Sequence, residues 1–191
     1  MDEKDILARY LRAAREGLVW KTEGLSERDL RLPRTSTGTS LLGLVKHCAG
    51  VEAEYFGACL GREHGITFPA YDFEDDPNGD LYATADETAA EIVERYRRVG
   101  AYVDATIAEL PLDAPARVPW WGEAGETTFR RLLVHVLYDV SRHAGQADIL
   151  REAIDGATGM TPSLSNVWEP EGGWPAHVAK LQGIADAFSE S

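Results

Sequence analysis

The chain is poor in cysteine and in positive charge. Only two of its 191 residues are cysteines, and 19 basic residues stand against 32 acidic ones. Two cysteines are too few for the disulfide framework of a small secreted protein. Cys48 and Cys59 also fall in one predicted helix, about 16 Å apart along its axis, which is too far for a bridge. We therefore expect a reduced, cytoplasmic protein.

The excess of negative charge limits the kinds of binding partner that we expect. A net charge of -13 repels the phosphates of nucleic acid and anionic membrane surfaces, so we expect neither as a partner. No window approaches 18 consecutive apolar residues, so no transmembrane helix is expected. The charged start, MDEKDILARY, lacks the apolar core of a signal peptide. Hydrophobic residues still make up 44% of the chain, which predicts a folded core.

Three catalytic signatures are missing as well: a glycine-rich phosphate loop, a paired-cysteine zinc motif and a serine nucleophile elbow. The sequence has instead a helical spacing of apolar residues. Thr84 and Glu87 have the spacing of a capping box, and residues 64–83, rich in Asp, Pro and Gly, predict a long loop. The predicted helices span about residues 2–20, 41–61, 84–110 and 128–156, with a short one near 175–188.

Four helices of this length predict an all-α fold, an antiparallel four-helix bundle with negligible sheet. The long loop would join the second and third helices, and the short helix would close the chain. We expect a single domain, residues 1–191, with its core at about 2–156 and a C-terminal tail at 157–191.

The fourth predicted helix carries polar groups inside its apolar stripe. His135, Asp139, His143 and Gln146 follow one another at steps of three and four residues, which places them on one helix face. A buried carboxylate or imidazole is costly unless it is paired. Asp139 and His143, one turn apart, could hold a divalent ion, and His47 on the apolar face of the second helix could complete the site.

The alternative is a polar network in which these groups bond to one another or to water. His135 lies about 12 Å along the axis from His143, so we expect it outside the ligand set, as a second-shell or core residue. Gln146 could orient a ligand, or be a surface or core amide. Trp120 and Trp121 precede the fourth helix and could line a pocket or pack over the end of the bundle.

The same segments resemble a known family. The run HVLYDVSRHAGQADILREAIDG is similar to the last bundle helix of the DinB-like superfamily, where a His or an acid precedes a His by four residues and Gly-Gln follows. Asp139, His143, Gly145 and Gln146 match that pattern. LLGLVKHCAGVEAEYFGACLGRE resembles the family's second helix, whose ligand maps to His47. VPWWGEAGETTFRRLLVHV resembles the mycothiol S-transferase-like branch.

The resemblance implies an up-down-down-up bundle, a divalent metal (zinc or nickel), often a homodimer, and chemistry that uses a thiol such as mycothiol. Many relatives have His at the position of Asp139, whereas the mycothiol-dependent maleylpyruvate isomerases are similar in having an acid there. We therefore expect a metal-dependent thiol S-transferase or isomerase whose partners are a small thiol and a small electrophile. A non-catalytic metal- or small-ligand-binding stress-response bundle and a metal-dependent hydrolase stay open as alternatives.

Overall fold

The computed structural model describes residues 1–70 and 72–188 and is predominantly helical, as the sequence predicts. Tyr71 of the predicted loop and residues 189–191 of the predicted tail lie outside the described residues. In chain order, the helices are α1 (Glu3–Trp20), α2 (Glu27–Arg31), α3 (Leu41–Phe56), α4 (Ala89–Glu109), α5 (Phe129–Asp155) and α6 (Gly173–Asp186).

The four long helices α1, α3, α4 and α5 enclose the core. α1 packs against α4 and α5, and α3 packs against the same two helices. Their inward side chains, among them Leu11, Leu42, Val99 and Leu132, are fully buried. These contacts place residues of α3 and α5 opposite each other, which is where the candidate site lies. The up-down-down-up order of the helices stays a prediction.

A small antiparallel ribbon before α5 was not predicted. In it, β1 (Pro115–Arg117) pairs with β2 (Glu126–Thr128). A segment of 3-10 turns, Pro119–Gly125, joins the two strands. The expectation of an all-α chain with negligible sheet is corrected by this ribbon. Strands of three residues are too short to show the alternation of apolar and polar residues by which a strand is recognised in a sequence.

The third predicted helix begins later than the sequence suggested. α4 starts at Ala89 and is capped by Thr88, whose hydroxyl accepts from the Glu91 amide while the Glu91 carboxylate accepts from the Thr88 amide. The Thr84–Glu87 pattern forms a turn outside the helix, in which the Glu87 carboxylate accepts from the Thr84 amide. Two capping patterns follow each other here, and the upstream one is not the helix start.

The cap at Thr88 should contribute measurably to stability. Thr88→Ala leaves one amide of the first turn without its partner and is expected to cost about 1 kcal/mol of the free energy of unfolding. Thr128 is a matched control, because it occupies the same position before α5 and its side chain caps no amide of that helix within the described residues. Urea denaturation should show a clearly smaller loss for Thr128→Ala. Equal losses would contradict the assigned cap.

The second predicted helix is shorter than expected. α3 ends at Phe56, because Gly57 leaves the helical region with φ -98° and ψ -96°, and a 3-10 turn, Ala58–Leu60, follows. The described residues 61–70 and 72–88 then form turns and irregular backbone without a helix or strand, which confirms the long loop.

The chain divides into two compact units, residues 1–157 and 158–191. The first contains α1 to α5. The second contains α6, whose apolar side chains are exposed along one stripe: Trp174, Val178, Leu181 and Ile184. That the whole chain is one domain stays a prediction. No helix within the described ranges is long and apolar enough to span a membrane.

Candidate metal centre

The three predicted metal ligands lie together between α3 and α5. His47 comes from α3, and Asp139 and His143 come from successive turns of α5. One donor atom from each residue lies within 4.8 Å of the other two, and all three side chains are partly buried. The rings of His47 and His143 meet edge to face with their centroids 4.8 Å apart. Packing of the two helices thus brings together His47 and Asp139, which are 92 residues apart in the chain.

Both imidazoles are held by their Nδ1 atoms. His47 Nδ1 lies 2.6 Å from Asp80 Oδ2, and His143 Nδ1 lies 2.8 Å from Gln146 Oε1. Because a carboxylate or amide oxygen accepts a hydrogen bond, each Nδ1 carries the proton in these bonds. The electron pair of each neutral ring is then on Nε2, which is the form in which histidine binds a metal.

The Asp139 carboxylate is the least satisfied group of the cluster. Its Oδ2 atom is buried and has no hydrogen-bond partner within the described part of the chain. The Nε2 atom of His143 lies 3.6 Å away, which is too long for a hydrogen bond. A self-contained polar network would satisfy this oxygen, since an unpaired buried acceptor costs about 1–3 kcal/mol. The donor set therefore fits a divalent cation better than it fits a closed network.

Asp80 was not singled out in the sequence. It lies near the end of the long loop, and nothing in the local pattern distinguishes it from the other acidic residues there, Asp72, Glu74, Asp75 and Asp76. Its contact with His47 spans 33 residues and depends on where the loop packs. Gln146, by contrast, lies beside the predicted ligand His143, three residues away on the same helix.

His135 lies outside the cluster, in an aromatic group around Tyr55. Its ring centroid is 5.0 Å from that of Tyr55 and 4.8 Å from that of Trp121. Trp120 donates its indole N–H to the Tyr55 hydroxyl at 3.2 Å. This aromatic group is one helical turn from Asp139, so it borders the site without supplying a ligand.

Two grooves run along α5 on either side of the cluster. The aromatic groove, of about 640 Å³, is lined by Trp121, Ala124, Arg131, Val134, His135 and Tyr138. The second groove, of about 440 Å³, is lined by Thr35, Thr39, Arg142, Gly145, Gln146, Ile149 and Leu150. The first reaches Tyr138, the residue before Asp139, and the second includes the Gln146 amide that holds His143.

Cys48 follows His47 in the sequence but is not part of the site. Its side chain is fully buried. Burial raises the pKa of its thiol well above the usual value, and the nearby charges of Glu52 and Asp139 raise it further. Burial and the charge of Glu54 likewise raise the pKa of Cys59 to about 11. Both thiols therefore stay protonated at neutral pH, and neither is a nucleophile.

Comparison with known proteins gives a family and a fold. Residues 6–156 match the family described as Mycothiol-S-transferase. No curated protein matches the chain significantly. Among solved structures, the "Crystal structure of the conserved protein of locus from Enterococcus faecalis" is similar with a TM-score of 0.64 and 15% identity, over 82% of this chain and 99% of that one. The structural likeness supports the fold, and the family match covers both helices that carry the cluster. This chain therefore belongs to the mycothiol S-transferase family, a branch of the DinB-like superfamily.

Proposed function

We propose that the protein is a divalent-metal-dependent S-transferase that joins a small thiol, such as mycothiol, to a small electrophile. The family match supports the reaction class. The observation that carries the metal dependence is the buried Asp139 oxygen without a hydrogen bond, beside two imidazoles whose Nδ1 atoms are already engaged. His47, Asp139 and His143 are the proposed ligands.

The residues of the site hold the ligands in place and leave room for the thiol. Zinc or nickel bound by three protein ligands would lower the pKa of a coordinated thiol. The Nδ1 atoms of the two rings are engaged by Asp80 and Gln146, which leaves both Nε2 atoms free to bind the ion. In the transfer, the thiol would lose its proton to solvent, its sulfur would form a bond to the electrophilic carbon, and the leaving group would depart into solvent with the bonding pair.

The two grooves present different side chains to the two substrates. Beside Ile149 and Leu150, the second groove offers the hydroxyls of two threonines, the Arg142 guanidinium and the Gln146 amide, which suit a thiol rich in hydroxyls. The aromatic groove offers Trp121, Val134 and Tyr138, which suit the apolar part of an electrophile. In this arrangement the sulfur and the electrophilic carbon would meet at the cluster between the grooves.

Calorimetric titration with mycothiol tests the proposal. Zinc-loaded protein should bind the thiol, and chelator-treated protein should not. Equal binding by the metal-free protein would contradict the mechanism. Turnover should then be measured with an alkylating probe by following the thioether product. Metal-dependent ester hydrolysis without thioether formation would favour the hydrolase alternative, and stoichiometric metal without turnover would favour the non-catalytic one.

Trp121→Ala should weaken binding of the electrophile. An aromatic contact contributes about 0.5–1.5 kcal/mol beyond the area it buries, so we expect KM for an aromatic electrophile to rise about tenfold. The KM for the thiol should change little, because its groove lies beyond His143. Trp168→Ala is a suitable control, since Trp168 is 82% exposed. A rise in the thiol KM alone would contradict the assignment of the grooves.

Two further expectations belong to this proposal. The resemblance implied a homodimer, which sedimentation of the purified protein would test. The cytoplasmic location inferred from the low cysteine content also stays a prediction.

A further inference from the structure

The long loop comes into direct contact with α3 near Asp80, next to His47. Gly43 lies one turn before His47, and a Cβ atom at Gly43 would lie 1.9 Å from the carbonyl oxygen of Leu81. A side chain at position 43 would therefore force the loop away from the helix. Because Leu81 follows Asp80 directly, this contact fixes the point at which the Asp80 carboxylate reaches His47.

A buried lysine holds the next residues of the loop. Lys46 precedes His47 on α3, and its side chain is 1% exposed. Its ammonium group donates to the Tyr82 carbonyl at 2.7 Å and to the Glu87 carboxylate at 2.7 Å. Arg95 of α4 donates to the other oxygen of Glu87 at 3.2 Å. A carboxylate held by two cations is a strong attachment in a buried setting.

A third helix, α2, is attached to backbone carbonyls of the same stretch. Arg31 of α2 donates to the Thr84 carbonyl at 2.8 Å and also to the Glu87 carbonyl. Residues 80–87, which we name the clamp segment, are thus attached to α2, α3 and α4. The segment has no regular secondary structure of its own, so these attachments determine its position.

We propose that Asp80 is a positioning residue for His47, and that attachment of the clamp segment and metal binding are thermodynamically coupled. The inference rests on the proposed metal site. The clamp places the Asp80 carboxylate 2.6 Å from His47 Nδ1, and such a carboxylate fixes the ring and increases the basicity of Nε2. By linkage, the attached clamp strengthens metal binding by the same factor by which bound metal strengthens the attachment.

Removing the Asp80 carboxylate tests the positioning role. Asp80→Ala should weaken zinc binding by about 10- to 100-fold, measured by competition with a chelator. Asp80→Asn should lose less, because its amide oxygen can still accept from Nδ1. In both variants the visible spectrum of the cobalt-substituted protein should change, since it reports the geometry of the ligands. Asp75→Asn removes the same charge from an exposed site in the same loop and should change neither quantity.

Two further measurements test the coupling. Glu87→Gln touches no proposed ligand, yet it should weaken zinc binding several-fold by loosening the clamp. Zinc should also slow hydrogen exchange at residues 80–87 of the wild type, and it should do so less in Asp80→Ala. Circular dichroism of each metal-free variant confirms that it is folded before zinc is added.

The outcomes separate this inference from the proposed function. If wild-type protein binds no metal, the proposed function fails as well. If wild type binds zinc and Asp80→Ala binds it equally well with an unchanged cobalt spectrum, the positioning role is overturned and the metal site stands. If Asp80→Ala weakens binding while Glu87→Gln does not, and zinc leaves exchange in the clamp segment unchanged, the coupling is overturned.

Discussion

His143→Ala is expected to abolish stoichiometric metal binding. The variant keeps only two proposed ligands, His47 and Asp139, on two different helices. Structural zinc sites bind with about 10–16 kcal/mol, or roughly 3 kcal/mol for each of four ligands, so the loss should be about 100-fold or more in affinity. Elemental analysis of protein purified without a metal-affinity tag measures this directly, and thioether formation should disappear with the metal.

The other residues of α3 and α5 supply the comparison. His47→Ala should be nearly as severe as His143→Ala, because it removes the only ligand from α3. Asp139→Ala should also lower metal content, though less if the carboxylate acts through water. His135→Ala should leave metal content unchanged, since its ring packs against Tyr55 and Trp121. An empty site in His135→Ala together with a full site in His143→Ala would show that the ligands were assigned to the wrong turn.

Glu52→Ala is expected to give the largest loss of stability. Glu52 is fully buried and accepts from the Arg15 guanidinium at 2.6 Å and 3.1 Å. Burial opposes the charge on Arg15, but the charge and hydrogen bonds of Glu52, with the charges of Tyr96 and Asp104, raise its pKa overall. A guanidinium is not deprotonated in proteins, so Arg15 stays charged when Glu52 is removed. Breaking a buried ion pair from one side costs about 3–5 kcal/mol, and we expect about 3 because Asp104 still contacts Arg15.

Asp104→Ala is the matched control for this pair. Asp104 contacts the same guanidinium at 3.1 Å, but its side chain is 30% exposed. Solvent screens such a pair, so its loss should cost less than about 1 kcal/mol. Urea denaturation of the metal-free proteins compares the two variants without a contribution from metal binding. Equal losses would mean that burial of Glu52 does not decide the energy of this pair.

The proposed ligands could be found from the sequence because their signal is local. Asp139 and His143 are four residues apart within an apolar stripe, and helical geometry alone places them on one face. His47 interrupts a similar stripe on another helix. Asp80 could not be found in this way, since its approach to His47 depends on Gly43 and on a buried contact at Lys46. A loop has no period that relates its residues to a distant helix.

The predicted start of the third helix was wrong for a reason that is not local in the sequence. Thr84–Glu87 and Thr88–Glu91 have the same spacing, and the choice between them is made by tertiary contacts of Glu87 with Lys46 and Arg95. The carboxylate of Glu91 accepts from the Thr88 amide and completes the cap of α4. The carboxylate of Glu87 instead binds Lys46 of α3 and Arg95 of α4. Sequence spacing predicts a cap at both positions, but it does not show which carboxylate is engaged in tertiary ion pairs.

The two buried cysteines determine what a thiol assay on this protein would report. Cys48 and Cys59 are both free and buried, and their protonated side chains are poor partners for thiol–disulfide exchange. Aromatic disulfide reagents added to the folded protein together with a small thiol would therefore titrate that thiol and not the two cysteines of the protein. For the same reason the protein should resist mixed-disulfide formation under oxidising conditions, when the cofactor-like thiols of a cell become disulfides. In the proposed transfer, the sulfur that reacts would then come only from the small thiol and not from a cysteine of the protein.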